Sequence, residues 1–337
     1  MVGKQSLIFE NDVYISCGAT VVGKKEAEGP LGEKFDLVEE DDMIGTDSWE
    51  EAESRLQELA VDKLFIKSGL SADDISYIYA GDLLGQLIAT SFGLVKYNIP
   101  LFGLYGACST IGEAISIGAM CINAGYAEHV IAAASSHFAS AEKQFRYPLE
   151  YGNQRPYAST WTVTGCGAYV LSSHLPQGGP CVVVKGITTG KIVDYGIKDS
   201  MNMGACMAPA AADVIAQNFK DLEINEDYYD YIFTGDLGSI GNQILADLLK
   251  EKGFGLKDKL YDCGMIIYEG NTKCAGGSGC GCSAVVLNTF IIKKLLSGEY
   301  KRVLFVPTGA LLSTVSFNEG KSVPGIAHGV ILERKEL

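Results

Sequence analysis

Asp74–Gln86 reads DISYIYAGDLLGQ and Gly106–His137 reads GACSTIGEAISIGAMCINAGYAEHVIAAASSH; Asp227–Gln243 reads DYYDYIFTGDLGSIGNQ and Gly276–Ser313 reads GGSGCGCSAVVLNTFIIKKLLSGEYKRVLFVPTGALLS. The second pair repeats the first, diverged but in order. Each copy runs from an aromatic strand through Gly-Asp-Leu into a helix. A Gly-rich turn ending in Cys-Ser then leads to a small-residue helix and a second apolar strand. Asp82 pairs with Asp236 at an offset of 154, and Cys108 with Cys282 at 174. The second copy therefore carries about twenty extra residues between these points, assigned to an excursion over Gly253–Gly277. From Cys108 to Val130 is 22 residues and from Cys282 to Val303 is 21, so the register returns after the insertion.

The repeat divides the chain into an N-terminal half, residues 1–178, and a C-terminal half, residues 179–337. Apolar strands alternating with helices predict mixed sheets covered on both faces, hence a layered αβαβα body. The helices after the two Cys-Ser turns are apolar nearly all round and are expected to lie buried between two mixed sheets. In the first half a strand is expected around Leu7–Ile15, then an acidic loop and a helix begun by Ser48. Ser48 and Glu51 have capping-box spacing, and Ala52, Leu56, Leu59, Ala60 and Leu64 fall on one helical face. The second half repeats the plan with a strand at Cys181–Thr188, an Ala-rich helix near Ala208–Phe219 and a strand at Tyr229–Thr234.

Lys and Arg number 27 against 41 Asp and Glu, a formal net charge of -14, and no local basic patch offsets it. A nucleic-acid backbone or an anionic lipid surface would repel such a chain. The ten cysteines lack a paired C-x-x-C signature and read as small buried residues in a reducing compartment. The N-terminus has no signal-peptide pattern, and no apolar run is expected to reach the roughly 18 residues of a membrane span.

Cys108 and Ser109 stand between a strand and a buried helix, where unpaired N–H groups and the dipole lower a thiol pKa and attract anions. A packing cysteine in a tight turn is the alternative. Arg146 and Arg155, two of only five arginines, lie among Phe145, Tyr147, Tyr151 and Tyr157. Arginine forks suit carboxylates, although these two could instead pair with Glu142 or Glu150. His137 ends the strand VIAAASSH and reads as a pocket residue or a satisfied buried histidine. His328, in the turn GIAHG, reads as a pocket residue. Asp82 and Asp236, recurring at equivalent positions, read as structural turn residues. Glu113 falls about 140° round the helix from Cys108, off its face.

The duplicated plan, the Ala-Cys-Ser turn, TGCGAY (164–169) and GIAHGVILER (325–334) resemble the thiolase and β-ketoacyl synthase superfamily over nearly the whole chain. The resemblance implies a thiolase-like fold in which the residue at Cys108 is acylated, while a His and an Asn, or a second His, act from the second half. Here Gly235 stands where chain-initiating synthases carry that histidine, and Gly277-Ser278 stands in place of their Gly-Asn. Without those donors condensation loses several kcal/mol of transition-state stabilisation.

More narrowly, EGPLGEKFD, GDLLGQ, GACST, EKQFRYPLEYGNQRP, MAPAAAD, AGGSGCGCSAV and TGALLS resemble the stage V sporulation protein AD family of endospore-forming bacteria. That resemblance implies a non-catalytic protein that binds dipicolinic acid (pyridine-2,6-dicarboxylate) and supports its uptake into the developing spore. It further implies membrane-embedded partners of the same operon, a peripheral position on the spore inner membrane, and calcium as co-passenger rather than resident metal. A homodimer is expected through the strand leading to His137. The ligand-site candidates are Cys108, Ser109, His137, Arg146, Arg155, Ser278 and His328. A cysteine-dependent acyltransferase of the ketoacyl-synthase III type and a pure scaffold are the alternatives.

Overall fold

The computed structural model describes residues 1–146, 155–176, 178–270 and 274–336; Tyr147, Glu150 and Tyr151 lie outside these. The core of the first half has five strands, β1 (Tyr14–Gly23), β2 (Tyr77–Gly81), β3 (Leu101–Gly103), β4 (His129–Ser136) and β5 (Gly165–Ser172). The second has β6 (Cys181–Thr188), β7 (Tyr231–Thr234), β8 (Leu260–Asp262), β9 (Arg302–Val306) and β10 (Gly329–Lys335). The spatial orders are β3-β2-β4-β5-β1 and β8-β7-β9-β10-β6, the same path in each half. Orientations match too. The second strand of each half pairs parallel with both neighbours, and the remaining ladders are antiparallel. Val130 sits beside Tyr77 and Val303 beside Tyr231, which carries the repeat down to single residues. The two sheets meet at their first strands through Tyr14–Val183 and Ile15–Val182.

Helices α1 (Trp49–Ser68) and α2 (Ile88–Leu94) cover one outer face. Helices α5 (Met203–Leu222) and α6 (Gly238–Glu251) cover the other. Between the sheets lie α3 (Thr110–Asn123) and α7 (Cys280–Val286), so the five layers expected from the repeat are present. Small residues let the layers close up: a Cβ on Gly167 of TGCGAY would come within 2.5 Å of the Ala284 carbonyl on α7. Helix α1 starts as its cap residue dictates, with Ser48 Oγ accepting from the Glu51 N–H at 3.2 Å. Its inner face is Ala52, Leu56, Ala60 and Leu64, with Leu59 only half-buried.

Three expectations change. β4 is paired on both sides, by β2 and β5, so the strand leading to His137 has no free edge for a second copy. The open edge of that half is β3, where Leu101 and Phe102 are exposed. Second, α7 begins at Cys280, which places Cys282 inside the helix; the residue two before the helix, as Cys108 is two before α3, is Ser278. The excursion accordingly follows β8, which is itself the counterpart of β3, and returns through Gly277–Ser278 paired with Trp161–Thr162. Third, the helical stretch Cys280–Ser297 is long and apolar enough to cross a membrane, yet 67% of it is buried in the protein, as befits a core helix. Its two lysines, Lys293 and Lys294, fall near its outer end.

The Gly-Asp-Leu turns are held by buried carboxylates. In the first half Asp82 accepts from Leu84 N (2.8 Å), Thr90 N (2.7 Å) and Thr90 Oγ1 (2.6 Å). In the second, Asp262 on β8 takes over, accepting from Thr234 Oγ1 (2.7 Å), Leu237 N (2.8 Å), Gly238 N (3.0 Å) and Met265 N (3.1 Å). Asp262→Ala would strand the Leu237, Gly238 and Met265 N–H groups away from water, the Thr234 hydroxyl keeping the Tyr261 carbonyl as acceptor, and is expected to lower unfolding free energy by about 3 kcal/mol in urea titrations. A loss below about 1 kcal/mol would show that the turn does not depend on this carboxylate.

Candidate functional site

Cys108 follows β3 on a tight turn. Ala107, just before it, sits at φ 49°, a left-handed conformation that costs a non-glycine residue on the order of 1 kcal/mol. The turn is closed by Ser109 Oγ donating to the Gly106 carbonyl (2.7 Å) and Thr110 Oγ1 to the Ala107 carbonyl (2.7 Å). From across the molecule the Cys280 thiol, at the head of α7, donates to the same Ala107 carbonyl at 3.0 Å. The strained turn is thus gripped by both central helices.

The second half presents Asp236 to the cysteine. Because Asp262 secures the turn, Asp236 is released from the structural role its counterpart Asp82 performs. Its carboxyl accepts from Thr308 Oγ1 (2.8 Å) and Gly279 N (3.2 Å) and hydrogen-bonds the Cys108 thiol. Burial raises the Asp236 pKa to about 7. Burial, and then the Asp236 charge, push the Cys108 thiol well above its ordinary range, while the Gly279 N–H works the other way. Of the two readings of Cys108, these effects favour the packed thiol over the activated one, since desolvation and a facing carboxylate both raise its pKa. Nor is the histidine position merely vacated. A Cβ on Gly235 would stand 2.8 Å from Thr308 N and 3.1 Å from Pro307 Cα, so this backbone has no space for an imidazole.

A cavity of about 30 Å³ adjoins Cys108, its walls including Leu83, Tyr105, Glu142, Arg146 and Ser278. A wider one of about 370 Å³ shares Leu83, Tyr105, Phe145 and Leu312 with it. Helix α4 (Phe138–Phe145) supplies one wall. On it Glu142, 4% exposed, accepts from Arg146 Nη1 at 2.5 Å and from Arg155 Nη2 at 2.7 Å through its other oxygen. Arg155 also donates to the Thr160 carbonyl (3.3 Å) and lies over the rings of Phe138 and Trp161, 5.4 and 5.1 Å from their centroids. Burial lowers the Arg146 pKa.

Of the residues singled out from the sequence, Cys108, Arg146 and Ser278 share the inner cavity, and Arg155 joins through Glu142. Ser109 spends its hydroxyl on the turn. His137 caps α4, Nδ1 accepting from Ala139 N (3.1 Å) and Nε2 meeting the Asp42 carbonyl (2.8 Å), and burial lowers its pKa. Its ring stacks towards Trp49, at 5.7 Å, in a different cavity. His328 pairs with Glu113 (3.2 Å) and accepts from Gly190 N (3.2 Å), outside the walls of the Cys108 cavity. Glu113, whose partner sequence spacing does not supply, thus gains one. Sequence reading missed Asp236 as the partner of Cys108 and Glu142 as a cavity residue. Asp236 is hidden by its match to Asp82, and Glu142 by being read only as a partner for the arginines.

The family described as stage V sporulation protein AD matches residues 3–333. The chain is 44% identical to stage V sporulation protein AD of Bacillus subtilis (strain 168) over 335 residues, 99% of this chain and 98% of that one. Among solved structures, 3-oxoacyl-[acyl-carrier-protein] synthase III from Aquifex aeolicus VF5 superposes with a TM-score of 0.55 at 13% identity, covering 95% of this chain and 99% of that chain. A single-residue variant of Xanthomonas campestris OleA gives a TM-score of 0.60 at 13% identity, covering 97% of each chain. At such identities these two establish the shared thiolase-like fold alone. Matched from end to end by the family and by its Bacillus subtilis relative, the chain belongs to the stage V sporulation protein AD family.

Proposed function

We propose that this sporulation protein uses the Cys108 cleft to bind dipicolinic acid rather than to transfer acyl groups, and so supports dipicolinate uptake into the developing spore. The observation that carries the reading is the arginine wall: Arg146, paired on Glu142 with Arg155, lines the same cavity as Cys108 and Ser278. A planar guanidinium beside apolar walls suits one carboxylate of a flat aromatic dianion. The Ser278 hydroxyl lines the same cavity as a further donor. Calcium, on this reading, travels with the ligand, and membrane-embedded proteins of the same operon hold the protein at the spore inner membrane. A second copy would meet it across the open β3 edge, beside exposed Phe92, Leu101 and Phe102.

Against the acyltransferase reading stand the protonated state of Cys108 and the filled histidine position. A nucleophile needs thiolate, and Asp236 opposes its formation where an imidazolium would favour it. Intact-mass spectrometry after incubation with acetyl-CoA is expected to show no adduct; a thioester on Cys108 would restore the enzyme. Calorimetric titration with dipicolinate, with and without calcium, is expected to show saturable binding, weakened about tenfold or more by Arg146→Met. No heat with the wild-type protein in either condition would end the binding reading.

The state of Asp236 has its own signature. Its proton leaves the unfolded chain near the ordinary carboxyl value of 3.8 but leaves the folded protein at about 7. Its contribution to stability is therefore full below the unfolded value and lost as pH rises through the folded one. Asp236→Asn removes that dependence, so its urea midpoint is expected to gain on the wild type between about pH 4 and pH 8. Parallel curves would show that the carboxyl is ionised throughout.

A further inference from the structure

Trp49 and Trp161, the two tryptophans of the chain, line one cavity of about 340 Å³ that shares no wall residue with the cavity beside Cys108. Sites for small organic molecules run from about 300 to 1,000 Å³. The cavity lies at the start of α4, whose Phe138 stacks on Trp161 with ring centroids 4.0 Å apart. Trp49, Phe138 and Trp161 are each only half-buried. Aromatic faces left part-open around one cavity suit a flat apolar group.

Two charges in the same walls are unspent. Lys25 carries its ammonium over the rings of Trp161 and Tyr268, 4.6 and 5.5 Å from their centroids, and has no ion pair among the described residues. Asp42 gives its backbone carbonyl to His137 Nε2, while its carboxylate has no partner among the described residues. Glu26, in the same wall and 1% exposed, accepts through Oε1 from Thr164 N and the Tyr268 hydroxyl, and its Oε2 has no donor. Burial raises the Glu26 pKa to about 7 and Lys25 pulls it the other way, so the field of the ammonium reaches that carboxyl. A ligand bearing only a cation would meet Lys25, and one bearing only an anion would meet Asp42 and Glu26. A ligand with both ends can set each against its opposite.

We propose that this cavity binds a small zwitterion with a flat side chain, of the class of the aromatic α-amino acids. The ligand carboxylate meets the Lys25 ammonium, the ligand ammonium turns towards Asp42, and the ring lies among Trp49, Phe138 and Trp161. The aromatic faces also favour the ammonium end. The site is separate from the cleft assigned to dipicolinate, and neither assignment depends on the other.

Because both tryptophans stand at the site, their fluorescence reports its occupancy. Titration of the full chain with L-phenylalanine is expected to change the tryptophan emission saturably, with a Kd of about 1 mM or tighter. 2-Phenylethylamine lacks the carboxylate and 3-phenylpropanoate lacks the ammonium, and each is expected to bind at least about tenfold more weakly. Lys25→Met is expected to weaken L-phenylalanine about tenfold and 2-phenylethylamine not at all. Asp42→Asn is expected to weaken L-phenylalanine similarly and 3-phenylpropanoate not at all. Lys25 is half-buried and Asp42 exposed, so both variants are expected to fold, with circular dichroism as the check. The assignment is overturned by no saturable change with the wild type up to about 10 mM. It is equally overturned if either single-charged analogue binds as tightly as L-phenylalanine, or if either variant binds L-phenylalanine as the wild type does.

Discussion

Cys108 and Asp236 meet at the centre of the molecule, each delivered by a turn at the end of a strand in its own half. Two copies of one α/β plan packed through their central helices set the strand-end turns of the halves against each other, and here the turn after β3 meets the turn after β7. The pairing of a thiol with a carboxyl then governs the rest. Both groups lie out of water, so burial disfavours a charge on either, and the facing carboxylate keeps the proton on sulfur. The pairing leaves Cys108 buried against a carboxyl, with burial and that charge both raising the thiol pKa.

Several features exist to permit this contact. Ala107 accepts a left-handed backbone so that Cys108 can turn inward, and the Cys280 thiol steadies the turn from the opposite helix. Gly235 lets its strand end pack on Pro307 and Thr308, which brings Asp236 close and closes the space an imidazole would need. Asp262 assumes the duty that Asp82 performs in the other half. Ser278, the counterpart of Cys108, and Gly279 line the same cavity. The asymmetry between the halves is thus concentrated where one aspartate holds its own turn and the other meets Cys108.

The layered fold could be read from the sequence because it depends on periodicity. Strand and helix patterns recur at fixed offsets, and a repeated α/β half has few ways to pack. What could not be read depends on which of several polar groups faces which. Asp82 and Asp236 look alike in sequence, and only the presence of Asp262 beneath the second turn tells them apart. The cysteine register drifted for a similar reason: counting to the next strand matches Cys108 with Cys282, whereas the second central helix starts earlier and reaches 18 residues against 14 for α3. His137 and His328 point to the cleft by their places at strand ends and turns, yet each finds nearer partners, Asp42 and Glu113. Arg146 and Arg155 were legible as a pair, and the glutamate that joins them is visible only in three dimensions.

Whether Asp236 holds Cys108 as an unreactive thiol is decided by the pH dependence of Cys108 alkylation. Iodoacetamide labelling of the native protein, followed peptide by peptide in the mass spectrometer, separates Cys108 from the other nine cysteines. The Cys108 rate is expected to stay low between about pH 6 and pH 9, far below that of the same peptide in the unfolded chain. A rate that is already high near pH 7, or rises with a midpoint below about 8, would mean a thiolate poised for catalysis and would contradict it.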